Sequence, residues 1–383
     1  MPIPRIGLIG PDRTQPCGIA DYTCRLADAL ALKSDLAFAP FRAALSDSRL
    51  DGRPILVQYE RSLLSPPSLP GADRFLSALA RRHPGRVFLV PHEVYDRDPF
   101  AFPYADVRSA FFPLLWMKRL RYRWSHRAYA AEKRLQARAY HAHRVIPLSA
   151  PGAEILLPLA GNKVLEPIPL AYFTPPGGDA SRSESAPSEP PRRDAFFPSL
   201  PRAVIGIFGF LNPGLDYASA LDMLAGLDPG ACLLLLGGPR SEAGEAPGSF
   251  GLSDPQTRLA QAIAARGLQG RVHVTGFLPE ASLNGHLRLC DAFLCPMRFK
   301  SNSSSLLNLI HLGKPILASD LPLTRYLKAQ GAPLELYADA EGLRRAMSAA
   351  LSVAAPSPPN RYPWDFGAVA EAYLRAVAAD QPR

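Results

Sequence analysis

Arg298-Phe-Lys-Ser-Asn-Ser-Ser-Ser-Leu-Leu-Asn-Leu-Ile-His-Leu-Gly-Lys-Pro-Ile-Leu-Ala-Ser-Asp320 is the stretch on which the reading of this 383-residue chain turns. Its serine run leads into an apolar segment, Leu306 to Leu312, whose pattern predicts a helix. Gly313 stands where that helix should end, since glycine enters the left-handed conformation of a C-terminal cap with no steric penalty. The run Pro315–Ser319 that follows is short and apolar, as a buried strand is. A loop of small residues opening a helix presents backbone N–H groups and the positive end of the helix dipole, which together suit an anion. Ser303, Ser304 and Ser305 add hydroxyl donors, and Arg298 and Lys300 add charge just upstream. The same serines also read as an ordinary N-cap on a buried helix.

Outward from this segment the chain repeats one grammar. Ile6–Gly10, Pro54–Tyr59, Arg86–Pro91 and Arg144–Leu148 are strand-like runs, and Ile19–Lys33 carries apolar residues at 19, 22, 26 and 30, a helical stripe. Val204–Phe210, Cys232–Leu236, Arg271–Thr275, Ala292–Cys295 and Pro315–Ser319 continue the series, with helical segments such as Glu280–Leu289 and Phe366–Ala379 between and after them. Residues 174–201 interrupt it with a Pro/Ser/Arg-rich tract that cannot bury a core and reads as an exposed linker. The predicted organisation is therefore residues 1–173, a linker 174–201, a second domain 202–360 and a terminal helix 361–383. Strand–helix alternation in both halves predicts an α/β protein with two Rossmann-type doubly wound domains facing a cleft.

Composition narrows the classes further. Hydrophobic residues make up 47% and charged residues 20%, which describes a globular protein. The net charge of +9 points toward acidic partners. No apolar run is long enough to cross a bilayer, and the opening residues read as a first strand rather than a leader. Five cysteines without Cys-x-x-Cys spacing predict reduced thiols, hence a cytoplasmic protein. Between 116 and 144 lie nine Lys/Arg and one acid, interleaved with Trp116, Tyr122, Trp124 and Tyr129. That mixture suits an anionic membrane surface, or reads as a solvated basic helix. No nucleic-acid motif accompanies it.

Several motifs together resemble the retaining family-4 glycosyltransferases of the GT-B fold. Gly313-Lys-Pro-Ile-Leu317 is similar to the family's strand after the donor loop, Pro16-Cys-Gly-Ile-Ala-Asp-Tyr-Thr23 to its first glycine-rich turn, and Gly276-Phe-Leu-Pro-Glu280 to its nucleobase turn. Gly209-Phe-Leu-Asn-Pro-Gly-Leu-Asp216 resembles the turn that opens the donor domain. Two departures stand out. The family's paired glutamates fall on Lys300 and Asn308, and the 214–216 turn lacks the family's cation.

The resemblance implies transfer of a hexose from a nucleotide sugar to a glycan or lipid-linked hydroxyl acceptor, with retention and without a metal. It assigns donor binding to Gly18, Asn212, Gly276, Phe277, Leu278, Arg298, Ser303, Ser304, Ser305, Leu306 and Asn308. Asn308 would serve the ribose and Gly276–Leu278 the base. Tyr59, Glu60 and Glu93 are expected on the acceptor side, and His92, at a strand end, near the sugar. An isolated histidine there also reads as a structural hydrogen-bonder. A leaving nucleoside diphosphate needs its charge stabilised, so Lys300, or Arg298, is expected to replace the missing cation. The lost glutamates also fit a degenerate subunit that binds without turnover, and the architecture is shared with nucleotide-sugar epimerases.

Overall fold

The computed structural model describes residues 3–11, 18–60, 72–92, 94, 134, 137–172, 191–211, 214–238, 255–298, 302–352 and 359–380. The chain forms two compact units, Met1–Ala171 with Trp364–Arg383, and Tyr172–Pro363.

The first unit holds β1 (Arg5–Gly10), β2 (Asp35–Pro40), β3 (Ile55–Tyr59), β4 (Val87–Pro91) and β5 (Arg144–Val145), with helices α1 (Gly18–Ala31), α2 (Ala72–Arg82) and α3 (Ala150–Ala160). Its strands run in the order β2-β1-β3-β4-β5, all parallel. β3 and β4 are buried at every position, the pattern of strands covered on both faces. The fifth strand is shorter than the expected 144–148. Ile146 still donates to Leu89 O at 2.8 Å, but Pro91, the next residue of β4 that faces β5, has no N–H to extend the ladder.

The second unit holds β6 (Ala203–Phe208), β7 (Ala231–Leu236), β8 (Val272–Val274), β9 (Ala292–Cys295), β10 (Ile316–Ser319) and β11 (Leu334–Tyr337). Its helices are α4 (Tyr217–Ala225), α5 (Pro255–Ala264), α6 (Glu280–Leu289), α7 (Ser304–Leu307), α8 (Pro322–Ala329) and α9 (Ala340–Leu351). This sheet is also parallel, in the order β11-β10-β9-β6-β7-β8. The described part of the tract before it, 191–200, is mostly exposed but anchored. Arg193 binds Asp291 at 2.6 Å, Phe197 is buried, and the Phe196 ring lies 5.1 Å from His273 and 5.5 Å from His286. A guanidinium and two aromatic rings thus anchor residues 193–197 to the second unit; 173–190 lie outside the described residues.

The last helix, α10 (Phe366–Ala379), belongs to the first unit. Asp365 caps its start by accepting from Ala368 N at 2.7 Å. It packs along α1: the Tyr22 ring sits 5.4 Å from Phe366, and Lys33 pairs with Glu371 at 2.7 Å. Arg144 pairs with Asp380 just beyond its end.

Cys24, Cys232, Cys290 and Cys295 are free and buried, and burial pushes the Cys290 and Cys295 thiols up to about 12. Cys290 and Cys295 remain thiols at neutral pH, and all four buried cysteines act as packing residues. Among the described residues no helix is long and apolar enough to cross a membrane.

Candidate functional site

In an open parallel sheet ligands bind beyond the C-terminal ends of the strands, where the order reverses. In the second unit that point is β6, flanked by β7 on one side and β9 on the other. The loops there are tied closely together. Gly209 N donates to Leu236 O at 3.1 Å and Leu211 N to Gly238 O at 3.0 Å. Gly209 and Gly237 both have positive φ, 132° and 150°. A Cβ on Gly237 would stand 2.2 Å from Gly209 O, so only glycine permits this approach. Thr275 joins the same edge: its N–H donates to Leu235 O at 3.0 Å, and its hydroxyl accepts from Gly237 N at 3.3 Å.

Arg298 has a defined partner. Residues 215 and 297 form an antiparallel bridge, with Asp216 N donating to Pro296 O at 2.6 Å and Arg298 N to Gly214 O at 2.9 Å. This holds the Arg298 guanidinium 3.1 Å from Asp216. Asp216 also caps α4, accepting from Ser219 N at 3.2 Å and Ser219 Oγ at 2.8 Å. Burial alone would raise the Asp216 pKa, but the hydrogen bonds from Ser219 and Arg298 outweigh it and the net direction is down. Arg298 therefore lies beside the cation-poor turn, as a charge whose field Asp216 largely cancels. Lys300 and Asn212 lie outside the described residues.

The serine segment differs from the single helix expected over 306–312. Ser303 caps a one-turn helix, accepting from Leu306 N at 3.2 Å. Asn308 ends that turn, and the chain continues as a tighter 3-10 turn, Ile310–Leu312, before Gly313 at φ 63°. Leu309 N to Leu306 O and Leu312 N to Leu309 O, both at 3.0 Å, replace the i to i−4 pattern. One turn carries little dipole, so any anion here would rely on local N–H and hydroxyl groups. Leu306 is a core residue and its amide is taken by the cap, which removes it from the donor-binding set. Ser304 and Ser305 are half-buried, and Ser305 Oγ faces Gly209, 3.0 Å from where a Cβ would stand. Asn308 Oδ1 is buried with no hydrogen-bond partner among the described residues. Such an acceptor is costly unless something outside the fold satisfies it.

Gly276 and Leu278 are half-buried on the loop after β8, and Phe277 between them is 40% exposed. Its ring is nearly parallel to that of Phe210, with centroids 6.4 Å apart and planes 11° from coplanar orientation.

In the first unit, His92 N continues the β3–β4 pairing by donating to Tyr59 O at 2.9 Å. The ring is buried, edge-on to Tyr22 at 5.6 Å, with Nε2 2.7 Å from Gln58 Oε1. That contact needs the proton on Nε2, donated to the amide oxygen. Burial pushes the His92 pKa down to about 3, so the imidazole is neutral at physiological pH. This environment suits a hydrogen-bonding ring better than a general acid or base. Tyr59, expected on the acceptor side, is a core residue at 2% exposure, edge-on to Tyr140 at 5.9 Å. Glu60 is half-buried at the strand end and Gly18 exposed at the start of α1. Glu93 lies outside the described residues, as does all of 116–144 except 134 and 137–144.

Sequence reasoning marked the segments that hold Phe210, Asp216 and Gln58 without giving those residues a role, and it missed Gly237. The pair Gly237-Gly238 directly after an apolar strand was a usable signal for a close backbone approach. The partners of Phe210 and Gln58, Phe277 and His92, are distant in sequence and had no local signal. Among the described residues no cluster of His, Cys, Asp and Glu could hold a metal ion.

Residues 228–352 match the family model of the group 1 glycosyl transferases. That span holds β7 through α9, and so the Gly237, Phe277, Arg298 and Ser303–Asn308 loops. A search of curated proteins returned no match. Among solved structures the chain is similar to Anabaena HepE, solved with UDP and glucose, at 15% identity over 98% of this chain and 99% of that one, TM-score 0.59. Sucrose-phosphate synthase from Thermosynechococcus elongatus is 13% identical over 98% and 94%, TM-score 0.53. The lipopolysaccharide outer core galactosyltransferase WaaB is 14% identical over 98% and 100%, TM-score 0.52. At such identities the likeness establishes the fold, two parallel-sheet α/β units as in GT-B glycosyltransferases. The family match and the shared fold together support a GT-B glycosyltransferase.

Proposed function

We propose that this protein transfers a hexose from a nucleotide sugar to a hydroxyl acceptor, with retention and without a metal. The observation that carries the reading is the coincidence of the group 1 glycosyltransferase match with the glycine-lined strand ends at the β6 switch point. The parallel with HepE, solved with UDP and glucose, supports a nucleotide-sugar donor. The parallel with WaaB supports a hexose and a lipid-linked glycan acceptor. The basic aromatic stretch 116–144 fits an enzyme working at an anionic membrane surface.

In this reading Asn308 Oδ1 accepts a ribose hydroxyl, which satisfies an otherwise stranded acceptor. The Ser304 and Ser305 hydroxyls face the diphosphate. Since Asp216 already neutralises Arg298, the cation for the leaving diphosphate is Lys300. In the first unit His92, neutral and fixed by Gln58, is a hydrogen-bonding ring at the end of β4.

Calorimetry against UDP, GDP, ADP and dTDP, followed by incubation with the matching labelled nucleotide sugars and glycan or glycolipid acceptors, tests the proposal. Binding of one nucleotide together with transfer or slow hydrolysis of its sugar is the expected result. Silence across the panel would refute it. The Arg298–Asp216 pair also favours a second reading, a subunit that binds a nucleotide sugar without turnover; binding with neither transfer nor hydrolysis would select it.

A further inference from the structure

Asp216 and Arg298 stand on the loops that follow β6 and β9, and three sets of contacts fix them together. The backbones are joined around the 215–297 bridge, by Asp216 N to Pro296 O at 2.6 Å and by Arg298 N to Gly214 O at 2.9 Å. The carboxylate is oriented by Ser219, whose N–H and hydroxyl donate to it at 3.2 Å and 2.8 Å. The guanidinium reaches it through Nη2 at 3.1 Å. That distance exceeds the roughly 2.7–2.9 Å of a tight charge-assisted bond. With side chains 37% and 30% exposed, both charges stay partly open to solvent on the β6 loop, whose other end, Gly209, faces Ser305 Oγ. A backbone N–H at a helix start, a hydroxyl and a guanidinium are the donors that a phosphate takes at a strand-to-helix turn. Here the chain's own carboxylate takes them.

Transfer of a sugar changes the charge of its carrier. The bond from the sugar carbon to the phosphate oxygen breaks with its electron pair left on that oxygen, and the acceptor hydroxyl gives up its proton. The terminal phosphate of the product then ionises a second time with a pKa of about 6, so at neutral pH the nucleoside diphosphate carries about one negative charge more than the nucleotide sugar. An uncompensated guanidinium at this turn would hold the product more tightly than the donor, and release of product limits many turnover rates. We propose that Asp216 is a product-release residue: it keeps Arg298 neutralised so that the diphosphate site does not favour the more highly charged product over the donor. This rests on the nucleotide-sugar reading given above. Asp216 acts here through Arg298, as a positioning residue, and Arg298 in turn shields the ligand from a bare carboxylate.

The test compares wild type, Asp216→Asn, Arg298→Gln and the double variant by calorimetry. The probes are UDP, GDP, ADP and dTDP, their nucleotide sugars, the free nucleosides and inorganic pyrophosphate. For the nucleotide that wild type prefers, Asp216→Asn is expected to bind the diphosphate about 5-fold more tightly, the factor for one charge pair at about 4 Å in a water-like medium. The gain for its nucleotide sugar should be smaller, pyrophosphate should follow the diphosphate, and the nucleoside should stay within twofold of wild type. In turnover the diphosphate should become the stronger inhibitor by the same factor. Arg298→Gln bares the carboxylate and is expected to weaken the diphosphate by a similar factor, while the double variant returns to within twofold of wild type. A merely structural role for Asp216 would weaken every ligand in Asp216→Asn. Asparagine caps a helix as well as aspartate does, and Asp216→Ser replaces it if that variant does not fold. Diphosphate affinity in Asp216→Asn that is lower than wild type, or within twofold of it, overturns the proposal and leaves the nucleotide reading standing. Equal gains for diphosphate and nucleotide sugar overturn it too. So does a double variant as weak as Arg298→Gln, since Arg298 would then act on the phosphate directly. No nucleotide binding to wild type or any variant overturns both.

Discussion

Replacing Gly237 by alanine should damage the second unit through one identifiable contact. The new Cβ would stand 2.2 Å from Gly209 O and 2.9 Å from its carbonyl carbon, at a φ of 150°. Forcing a side chain into that backbone region costs about 1–3 kcal/mol. To relieve the overlap the two loops must part by about 1 Å. That strains the bonds from Gly209 N to Leu236 O and from Leu211 N to Gly238 O, each worth about 1 kcal/mol net. The expected loss is about 3–5 kcal/mol. Gly267→Ala is the matched control, because Gly267 also has positive φ, 65°, but nothing lies within 4 Å of its Cβ position. It should lose only about 1–2 kcal/mol, the cost of left-handed backbone alone. Both residues lie in Tyr172–Pro363, so urea unfolding followed by circular dichroism reports on the same unit. Equal losses in the two variants would refute the argument that the β6 and β7 ends are held together by the absence of a side chain. Nucleotide affinity should fall in Gly237→Ala and survive in Gly267→Ala.

Three further outcomes are expected. Asp216 has a lowered folded-state pKa, so its pairing is complete above the free-carboxylate value of about 4 and is lost as pH falls through the folded value. Asp216→Asn keeps the cap, should cost under about 1 kcal/mol at pH 7, and should match wild type near pH 2; an unfolding gap constant over that range would contradict it. His92 stays neutral where the unfolded chain protonates near pH 6.5. Its contribution is therefore whole above that pH and falls by up to about 1.4 kcal/mol per unit as pH drops toward 3. Measured against His92→Gln, the stability gap should narrow across this window, and a pH-independent gap would mean the folded ring titrates as it does in the unfolded chain. Asn308→Leu deletes an acceptor with no partner among the described residues, so stability should hold or rise by up to about 1 kcal/mol while nucleotide affinity falls. A stability loss above about 2 kcal/mol would show that Oδ1 has a structural partner.

The sequence by itself determined the architecture, because burial on both faces writes itself as continuous apolar runs. Ile55–Tyr59, Val87–Pro91, Ala231–Leu236 and Ala292–Cys295 are such runs, and each is a central or near-central strand. The two strands it left unread, Asp35–Pro40 and Leu334–Tyr337, are sheet edges whose half-exposed residues carry a mixed pattern. Gly313 was legible because a left-handed helix cap is a local backbone requirement. The fate of Arg298 was not. Its partner Asp216 is 82 positions away, and only the parallel pairing of β6 with β9 brings the two loops together. The same holds for the Phe210–Phe277 pair, which depends on β7 lying between β6 and β8, and for His92 on Gln58, which depends on β3 lying beside β4. Local periodicity fixes which residues are buried and in what kind of element. Strand order, a long-range property, decides which charges are cancelled and which rings face each other.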